Sequence, residues 1–534
     1  MLPKKYYFTW LKIFITIILV LGIFFRFINI DRKVYWYDET ITSLRIVSYT
    51  RGEFKDLISN QGTISIAELQ QYQDINPDKN TINLISSLAR DNPEHLPIYF
   101  VLLRWWVKLF GNSVTVIRNF SAITSLLIFP CIYWLCRELF GKSLIGWVAI
   151  SLTAISPILV LYAQEARAYS LFSVVVLLSS IALLRAMRIN TKRTWQIYIA
   201  SLIFALYTHL FSVLVAFGHG LYVILIEKLK LTQKLKSYLL ASLYGFLGFL
   251  PWLILIINHF DGINWVSKNL PFLDLLKRWF INLGFTFVDI QIGSSDRLFD
   301  VKKLVFDNNA LLQLNTIWPY ILALVLVLVI YSIYFLLKNA PRQANIFILT
   351  LMAVTPICLT IPDLISGGQR STIPRYLIPA YLGIQLSVAY LLGTKLTKFT
   401  KQIEHKFWQI VTVIVISLGI ISCGISSQAE TWWHKYSSYY DPQVARIINQ
   451  TSQPLIISNH SVRLATLGYM LRPDVKVLFI EEPEVPKVPE GFTDIFVFRP
   501  EWSLISGLET QENSQLELVH NFGELWILSK SKEE

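Results

Sequence analysis

Asp38 and Glu39 stand side by side in the stretch Trp36-Tyr37-Asp38-Glu39, two carboxylates among aromatic rings. A carboxylate so placed can take the proton from an attacking hydroxyl or amine. Four further polar groupings punctuate an otherwise apolar chain: Glu94-His95, Gln164-Glu165 with Arg167, His209, and Arg375-Tyr376. Arginine neutralises phosphate through paired hydrogen bonds. A glutamate and a histidine can hold a divalent ion or orient a substrate. Tyrosine offers a ring face with a polar tip. Taken singly, each grouping has a plain structural reading: Asp38 and Glu39 as solvated loop acids, His209 as an anchor or helix cap. Taken together, they suggest group transfer from a phosphate-bearing lipid at a membrane surface.

The elements that must position these residues are membrane spans. Of 534 residues, 54% are hydrophobic and 16% charged, against about 25% charged in a soluble protein, and the mean hydropathy is +0.48. Apolar runs of about twenty residues, the length that crosses a bilayer, recur along the chain. The first run has no small-residue cleavage site after it and reads as a span. The net charge of +12 would suggest nucleic acid in a soluble protein. Here the lysines and arginines sit mostly in short loops between apolar runs, a topology signal, and no nucleic-acid partner is expected. Cys131, Cys136, Cys358 and Cys423 lie in or near apolar segments without a CxxC pair, which disfavours a disulfide framework or a thiolate metal site. No glycine-rich phosphate loop occurs, so a nucleotide-driven pump is disfavoured.

About eleven spans are expected, over residues 11–30, 116–135, 144–161, 170–184, 195–207, 211–226, 238–257, 317–337, 346–361, 376–392 and 408–426. Lys4, Lys5 and Lys12 put the N-terminus in the cytoplasm, and every strong basic loop then falls on that side. The five polar groupings fall on the other. Residues 97–110, broken by Arg104 and Lys108 and too short to cross, read as a helix lying on the membrane surface. Residues 65–72 suit a short helix, 74–83 a loop, and 270–288 an amphipathic segment in a second long outer loop. From residue 430 short apolar runs at 454–458, 475–480, 494–498 and 523–529 alternate with helical patterning at 462–471. The expected organisation is a transmembrane catalytic domain at 1–429, with a first outer loop at 31–115, and a small extracytoplasmic α/β domain at 430–534.

Several motifs carry a resemblance. They are Tyr37-Asp38-Glu39, Glu94-His95-Leu96-Pro97-Ile98-Tyr99, Leu109-Phe110-Gly111, Arg118, Arg137-Glu138-Leu139-Phe140-Gly141, Ser156-Pro157, and Tyr162-Ala163-Gln164-Glu165-Ala166-Arg167-Ala168-Tyr169. Arg375-Tyr376-Leu377-Ile378-Pro379 is a later match. Over about residues 10 to 230 the chain resembles the lipid-phosphate-sugar-dependent membrane glycosyltransferases of the GT-C fold, in particular bacterial family 39 members, relatives of the protein O-mannosyltransferases and of the lipid A aminoarabinose transferase. Relatives usually have His-Pro-Pro where this chain has His95-Leu96-Pro97, which alters the stiffness of the turn and not its polar groups.

The resemblance implies a polyprenyl-phosphate-linked sugar donor and a single inverting displacement at the extracytoplasmic face of a bacterial inner membrane. It makes Asp38 the base, with Glu39 orienting the substrate or Asp38. Arg167 and Arg375 become the phosphate contacts, with Gln164, Glu165, Tyr169 and Tyr376 around the donor. Glu94, His95 and His209 become the candidates for a divalent ion. The acceptor is left open among protein, glycolipid and polysaccharide, and the sugar among hexoses, pentoses and amino sugars. Two other readings stand beside this one: a lipid-linked oligosaccharide transferase or ligase, and a transporter or flippase. The second would want charged residues in mid-span and inverted repeats, which the sequence does not display.

Overall fold

In the computed structural model, residues 4–259, 266, 269–290, 310–397, 402–512 and 514–530 are described. The parts of the second outer loop at 260–265, 267–268 and 291–309, and the basic stretch 398–401, lie outside them. The chain divides into two compact units. Met1–Ile30, Asn92–Tyr99 and Arg118–Gln428 form the first; Asp31–Asp91, Phe100–Ile117 and Ala429–Glu534 form the second.

The first unit is helical. Among the described residues of the whole chain, seven helical stretches are long and apolar enough to cross a membrane: Val114–Phe140, Tyr169–Ile189, Gln233–His259, Trp318–Asn339, Arg342–Ile365, Pro374–Lys395 and Gln402–Ser438. An eighth is formed when Ser143–Ala154 and Pro157–Ala163, bent by 61°, count as one span. The chain is therefore a polytopic, mostly helical membrane protein. Helices also occupy the remaining expected places, Lys4–Phe27, Lys192–Leu206 and Ser212–Ile226. The last two have 15 residues each, about 22 Å of helix against a hydrocarbon layer of about 30 Å.

The 61° bend has a local cause. Pro157 disfavours helical geometry at the residue before it, and Ser156 is extended at φ −65°, ψ 116°. The helix end this creates is capped from the first helix. Fully buried Arg26 donates to the carbonyls of Ala154 at 2.6 Å and Thr153 at 3.1 Å, and to Ser125 Oγ at 3.0 Å. A guanidinium on the last carbonyls of a helix meets both its orphan acceptors and its dipole. Arg118, also fully buried, donates to the carbonyl of Ile30 at 2.8 Å.

The second unit is built on a six-stranded mixed sheet. Its strands are β1 (Thr63–Ser65), β2 (Pro454–Ser458), β3 (Lys476–Phe479), β4 (Asp494–Phe498), β5 (Ser514–His520) and β6 (Leu525–Lys530), in the spatial order β1-β3-β2-β4-β6-β5. β2 runs parallel to both β3 and β4. Alternation along the strands sends successive side chains to opposite faces. Ile456, Val477, Phe496 and Phe498 pack with Ile41, Leu44, Phe54, Ile66, Val444 and Leu467, while Leu455, Ile457, Leu478 and Val497 pack with Leu504, Leu508 and Leu516. β1 comes from the first outer loop and pairs antiparallel with β3, Ile64 opposite Val477. That loop also contributes the helices Tyr37–Ile46, Arg51–Ser59, Ile66–Gln71 and Thr81–Asp91. The last begins inside the stretch expected as loop. Asn80 Oδ1 accepts the backbone N–H groups of Ile82 at 2.8 Å and Asn83 at 3.0 Å, so a residue read as a turn signal starts a helix.

Residues 97–110 form one helix, with Trp105, Leu109 and Phe110 exposed. Arg104 departs from the expectation of a charge on a surface helix. It is fully buried and its guanidinium donates to the carbonyls of Ile46 and Lys79 and to Ser48 Oγ. The buried arginine thereby holds the C-terminal end of the helix that carries Asp38.

Candidate functional site

In the first unit, residues far apart in sequence gather around one imidazole. Ala166 to Ala168 connect the bent span to the helix Tyr169–Ile189, and Ser121 Oγ, itself 3.0 Å from the Tyr99 hydroxyl, donates to the carbonyl of Arg167 at 3.3 Å. Tyr169 is buried, with its ring 4.8 Å from that of Tyr162 and Arg167 5.9 Å from its centre. His209, in the turn between Lys192–Leu206 and Ser212–Ile226, stacks on Phe172 at 4.1 Å and meets Tyr169 edge-on at 6.3 Å. Phe211 continues the chain of rings to Tyr376 at 4.6 Å, and the Arg375 guanidinium lies 5.6 Å from the Tyr376 ring.

Burial, and then the positive charges of Arg167 and Arg375, push the His209 pKa down from 6.5 to about 3. The ring is therefore neutral at physiological pH. Its Nδ1 accepts the Phe211 N–H at 3.3 Å, which leaves the proton on Nε2 as a donor. Two guanidiniums and an N–H donor among aromatic rings suit an anion, since they present charge and directed hydrogen bonds.

Arg375 is set by a strap that the sequence reading did not single out. Buried Asp363, near the end of the helix Arg342–Ile365, accepts the backbone N–H and the guanidinium of Arg370 at 3.0 and 3.1 Å on Oδ1. Its Oδ2 accepts the N–H and hydroxyl of Ser371, both at 2.7 Å. Trp279 Nε1 donates to Ser371 Oγ and Asn282 Nδ2 to the carbonyl of Thr372, each at 2.8 Å. The strap runs through the short 3-10 turns Arg370–Thr372 and Pro374–Leu377 to Arg375 and Tyr376. Gly368, at φ +134°, is required here, because a Cβ would come within 2.8 Å of Asp363 Oδ1 and an L side chain disfavours that backbone. An acid closing an apolar run, two residues after Ile361, is the one sequence signal for Asp363.

The other expected donor residues have more structural surroundings. Buried Gln164 donates from Nε2 to the carbonyls of Phe25 at 2.9 Å and Ile28 at 3.0 Å, tying down the end of the first helix. Glu165 is buried beside this turn and acts electrostatically on Tyr162, as does Arg375. Glu94 and His95 lie together, 3.6 Å apart, at about a quarter exposure. His209 does not complete a trio with them: among the described residues no three His, Cys, Asp or Glu side chains are placed to share a metal ion.

In the second unit, Asp38 occupies the first turn of the helix Tyr37–Ile46 and is half-buried. An acid at that position is favoured by the helix dipole. Glu39, one residue on, is different. It is fully buried with Lys435, Nζ to Oε2 2.7 Å, neither side chain exposed. Glu39 Oε2 also lies 3.4 Å from the backbone nitrogen of Trp36. The pair locks the Asp38 helix to the 3-10 segment Trp433–Ser438. Glu39 is thus held out of solvent by Lys435, while the adjacent Asp38 keeps partial access to solvent. Lys435 sits in the aromatic run Trp432-Trp433-His434-Lys435 and gave no sequence signal of a buried partner.

Residues 91–255 match the family model described as dolichyl-phosphate-mannose-protein mannosyltransferase. No curated protein matches the chain. Among solved structures, the crystal structure of ArnT from Cupriavidus metallidurans bound to undecaprenyl phosphate is 13% identical, covers 98% of each chain and has a TM-score of 0.45. Its apo form is 12% identical over 92% of this chain and 97% of that one, also at 0.45. The arabinosyltransferase EmbB from Mycobacterium smegmatis is 13% identical over 75% of this chain and 41% of its own, at 0.29. The resemblance to membrane glycosyltransferases read from Glu94-His95 and from Gln164 to Tyr169 therefore stands over residues 91–255, the stretch that the family model matches.

Proposed function

We propose that the protein is an inverting glycosyltransferase that moves a sugar from a polyprenyl-phosphate-linked donor to an acceptor at the extracytoplasmic face of a bacterial inner membrane. The observation that carries this reading is the convergence of Arg167 and Arg375, 208 positions apart, on the aromatic rings around His209. Such a cluster fits the phosphate of the donor. The matched family is named for a dolichyl-phosphate-linked sugar, which supports the donor class; the sugar and acceptor are not carried over.

In the proposed step the acceptor oxygen attacks the anomeric carbon from the face opposite the phosphate. Its proton passes to the Asp38 carboxylate, and the bond from the anomeric carbon to the phosphate oxygen breaks with its electron pair going to the phosphate. The polyprenyl phosphate is a stable anion on leaving, so a general acid is not needed and one carboxylate suffices. Arg167 and Arg375 stabilise the charge that builds on the leaving oxygen, with His209 Nε2–H as a neutral donor. Tyr169 and Tyr376 form the walls, and Glu39 holds the Asp38 helix in place.

The test is transfer by purified protein in nanodiscs supplied with polyprenyl-phosphate-linked hexoses, pentoses and amino sugars and a membrane extract as acceptor. Release of polyprenyl phosphate with an inverted anomeric linkage is expected for one donor class. Retention of configuration, or no release from any donor, would sink the reading.

A further inference from the structure

A second polar cluster lies on the helical unit, apart from the residues assigned to transfer. The helices Ile128–Phe140 and Tyr169–Ile189 both end in arginine-bearing turns. Between them is a cavity of about 540 Å³ lined by Tyr133, Trp134, Arg137, Glu138, Gly141 and Arg188. The Glu138 carboxylate takes a forked pair of hydrogen bonds from Arg188, at 3.0 and 3.1 Å, and lies 3.8 Å from Arg185. Trp134 Nε1 points at the same carboxylate from 3.3 Å, and the Arg185 guanidinium stands 5.8 Å from the Trp134 ring centre.

Charge decides what this cavity suits. Glu138 can neutralise one guanidinium; Arg188 holds it in a fork, Arg185 stands 3.8 Å away, and Arg137 adds a further charge to the cavity lining. A basic residue in the last turn of a helix is expected on dipole grounds alone, but that accounts for neither the third arginine nor the aromatic rim. Trp134 is 43% exposed, and Trp147 and Ile189 are exposed as well. Both helices belong to stretches apolar enough to span a membrane. Exposed tryptophan beside arginine at the end of a span is the pattern of the bilayer interface. Basic pockets between transmembrane helices take anionic headgroups there.

We infer that this cavity binds the phosphate headgroup of an anionic phospholipid, with Arg137 on its lining and Arg185 at its rim beside Glu138 and Trp134 supplying charge, and Trp134 lying along the upper acyl chain. The inference is independent of the proposed transfer reaction.

It is tested by lipid retention. The purified full-length protein is exchanged into nanodiscs of phosphatidylcholine mixed with either phosphatidylglycerol or cardiolipin, re-extracted, and its bound lipid measured by native mass spectrometry. The wild type should retain the anionic lipid over phosphatidylcholine. Arg137→Gln with Arg185→Gln should weaken that preference by about fivefold for each charge removed. Arg137→Lys, which keeps the charge, should hold most of it, and an unchanged melting temperature shows each variant folded. Equal retention of both lipids by the wild type, or an undiminished preference in the folded double variant, overturns the inference. Full displacement of the lipid by inorganic phosphate would also overturn it, because the site would then be one for free phosphate.

Discussion

His209 is the residue at which chemistry and surroundings bear on each other most closely. Burial and the two guanidiniums hold its folded pKa at about 3 against 6.5 for the free side chain. Below about pH 6.5 the unfolded chain therefore takes up a proton that the folded chain refuses. The stability linked to His209 is complete above that point and is lost progressively as the pH falls toward 3. Melting temperatures at about pH 7 and about pH 5 should thus differ less in His209→Gln than in the wild type; an equal difference would show that another group carries the acid sensitivity. Arg375→Gln should weaken binding of a polyprenyl phosphate about tenfold to a hundredfold, the range of a lost charge-assisted hydrogen bond, as read by titration in nanodiscs. Binding unchanged in that variant would remove Arg375 from the phosphate site. Arg167, Tyr169, His209, Arg375 and Tyr376 stand out in the sequence because charged or titratable side chains at span ends are conspicuous. Their common focus on one ring was not, since it depends on pairing helices more than 150 positions apart. Glu39 shows the reverse limit: beside Asp38 it reads as a second carboxylate for chemistry, and only the buried Lys435 reveals what holds it.

Elements set these residues through a few buried polar contacts. Removing one partner of the Glu39–Lys435 pair leaves a buried charge uncompensated, at a cost of about 3 to 5 kcal/mol. Lys435→Met should therefore lower the unfolding midpoint of the second unit sharply, and Glu39→Met with Lys435→Met should recover most of the loss; differential scanning fluorimetry distinguishes the two. If the single and double variants melt alike, the pair does not lock the helix. The Asp363 strap predicts a different signature. Asp363→Asn leaves too few acceptors for Arg370 and Ser371, so the segment that carries Arg375 should loosen. Donor affinity should fall about tenfold while the apolar spans stay folded. An Asp363→Asn protein that binds donor as the wild type does would contradict the strap. Among elements, the strands at Pro454–Ser458, Lys476–Phe479 and Asp494–Phe498 follow the short apolar runs that announced them. β1 has only three residues, too few for alternation to register. The helix Thr81–Asp91 was hidden because Asn80, its cap, also signals a turn.

At the scale of the whole molecule, residues 31–91 and 100–117 share a compact unit with 429–534. The many-span helical class follows from composition, although about eleven spans are expected and, among the described residues, seven or eight stretches are long and apolar enough to cross; the shared unit does not follow from it, because it arises from a pairing such as Ile64 with Val477 that no local pattern encodes. It predicts that residues 429–534 expressed alone lack the side chains covering one face of the sheet and do not fold cooperatively. In the full chain, hydrogen exchange at residues 63–65 and 476–479 should open in one step. Independent opening of the two segments would contradict a shared unit.

In the proposed reaction Asp38 removes the acceptor proton while Arg167 and Arg375 hold the donor. Donor binding and sugar transfer measured side by side on Asp38→Asn, in nanodiscs with the cognate polyprenyl-phosphate sugar, separate these two roles. Transfer should fall about a hundredfold to ten-thousandfold, the range of a lost general base, with donor affinity unchanged. Transfer at the wild-type rate in that variant would contradict the role given to Asp38.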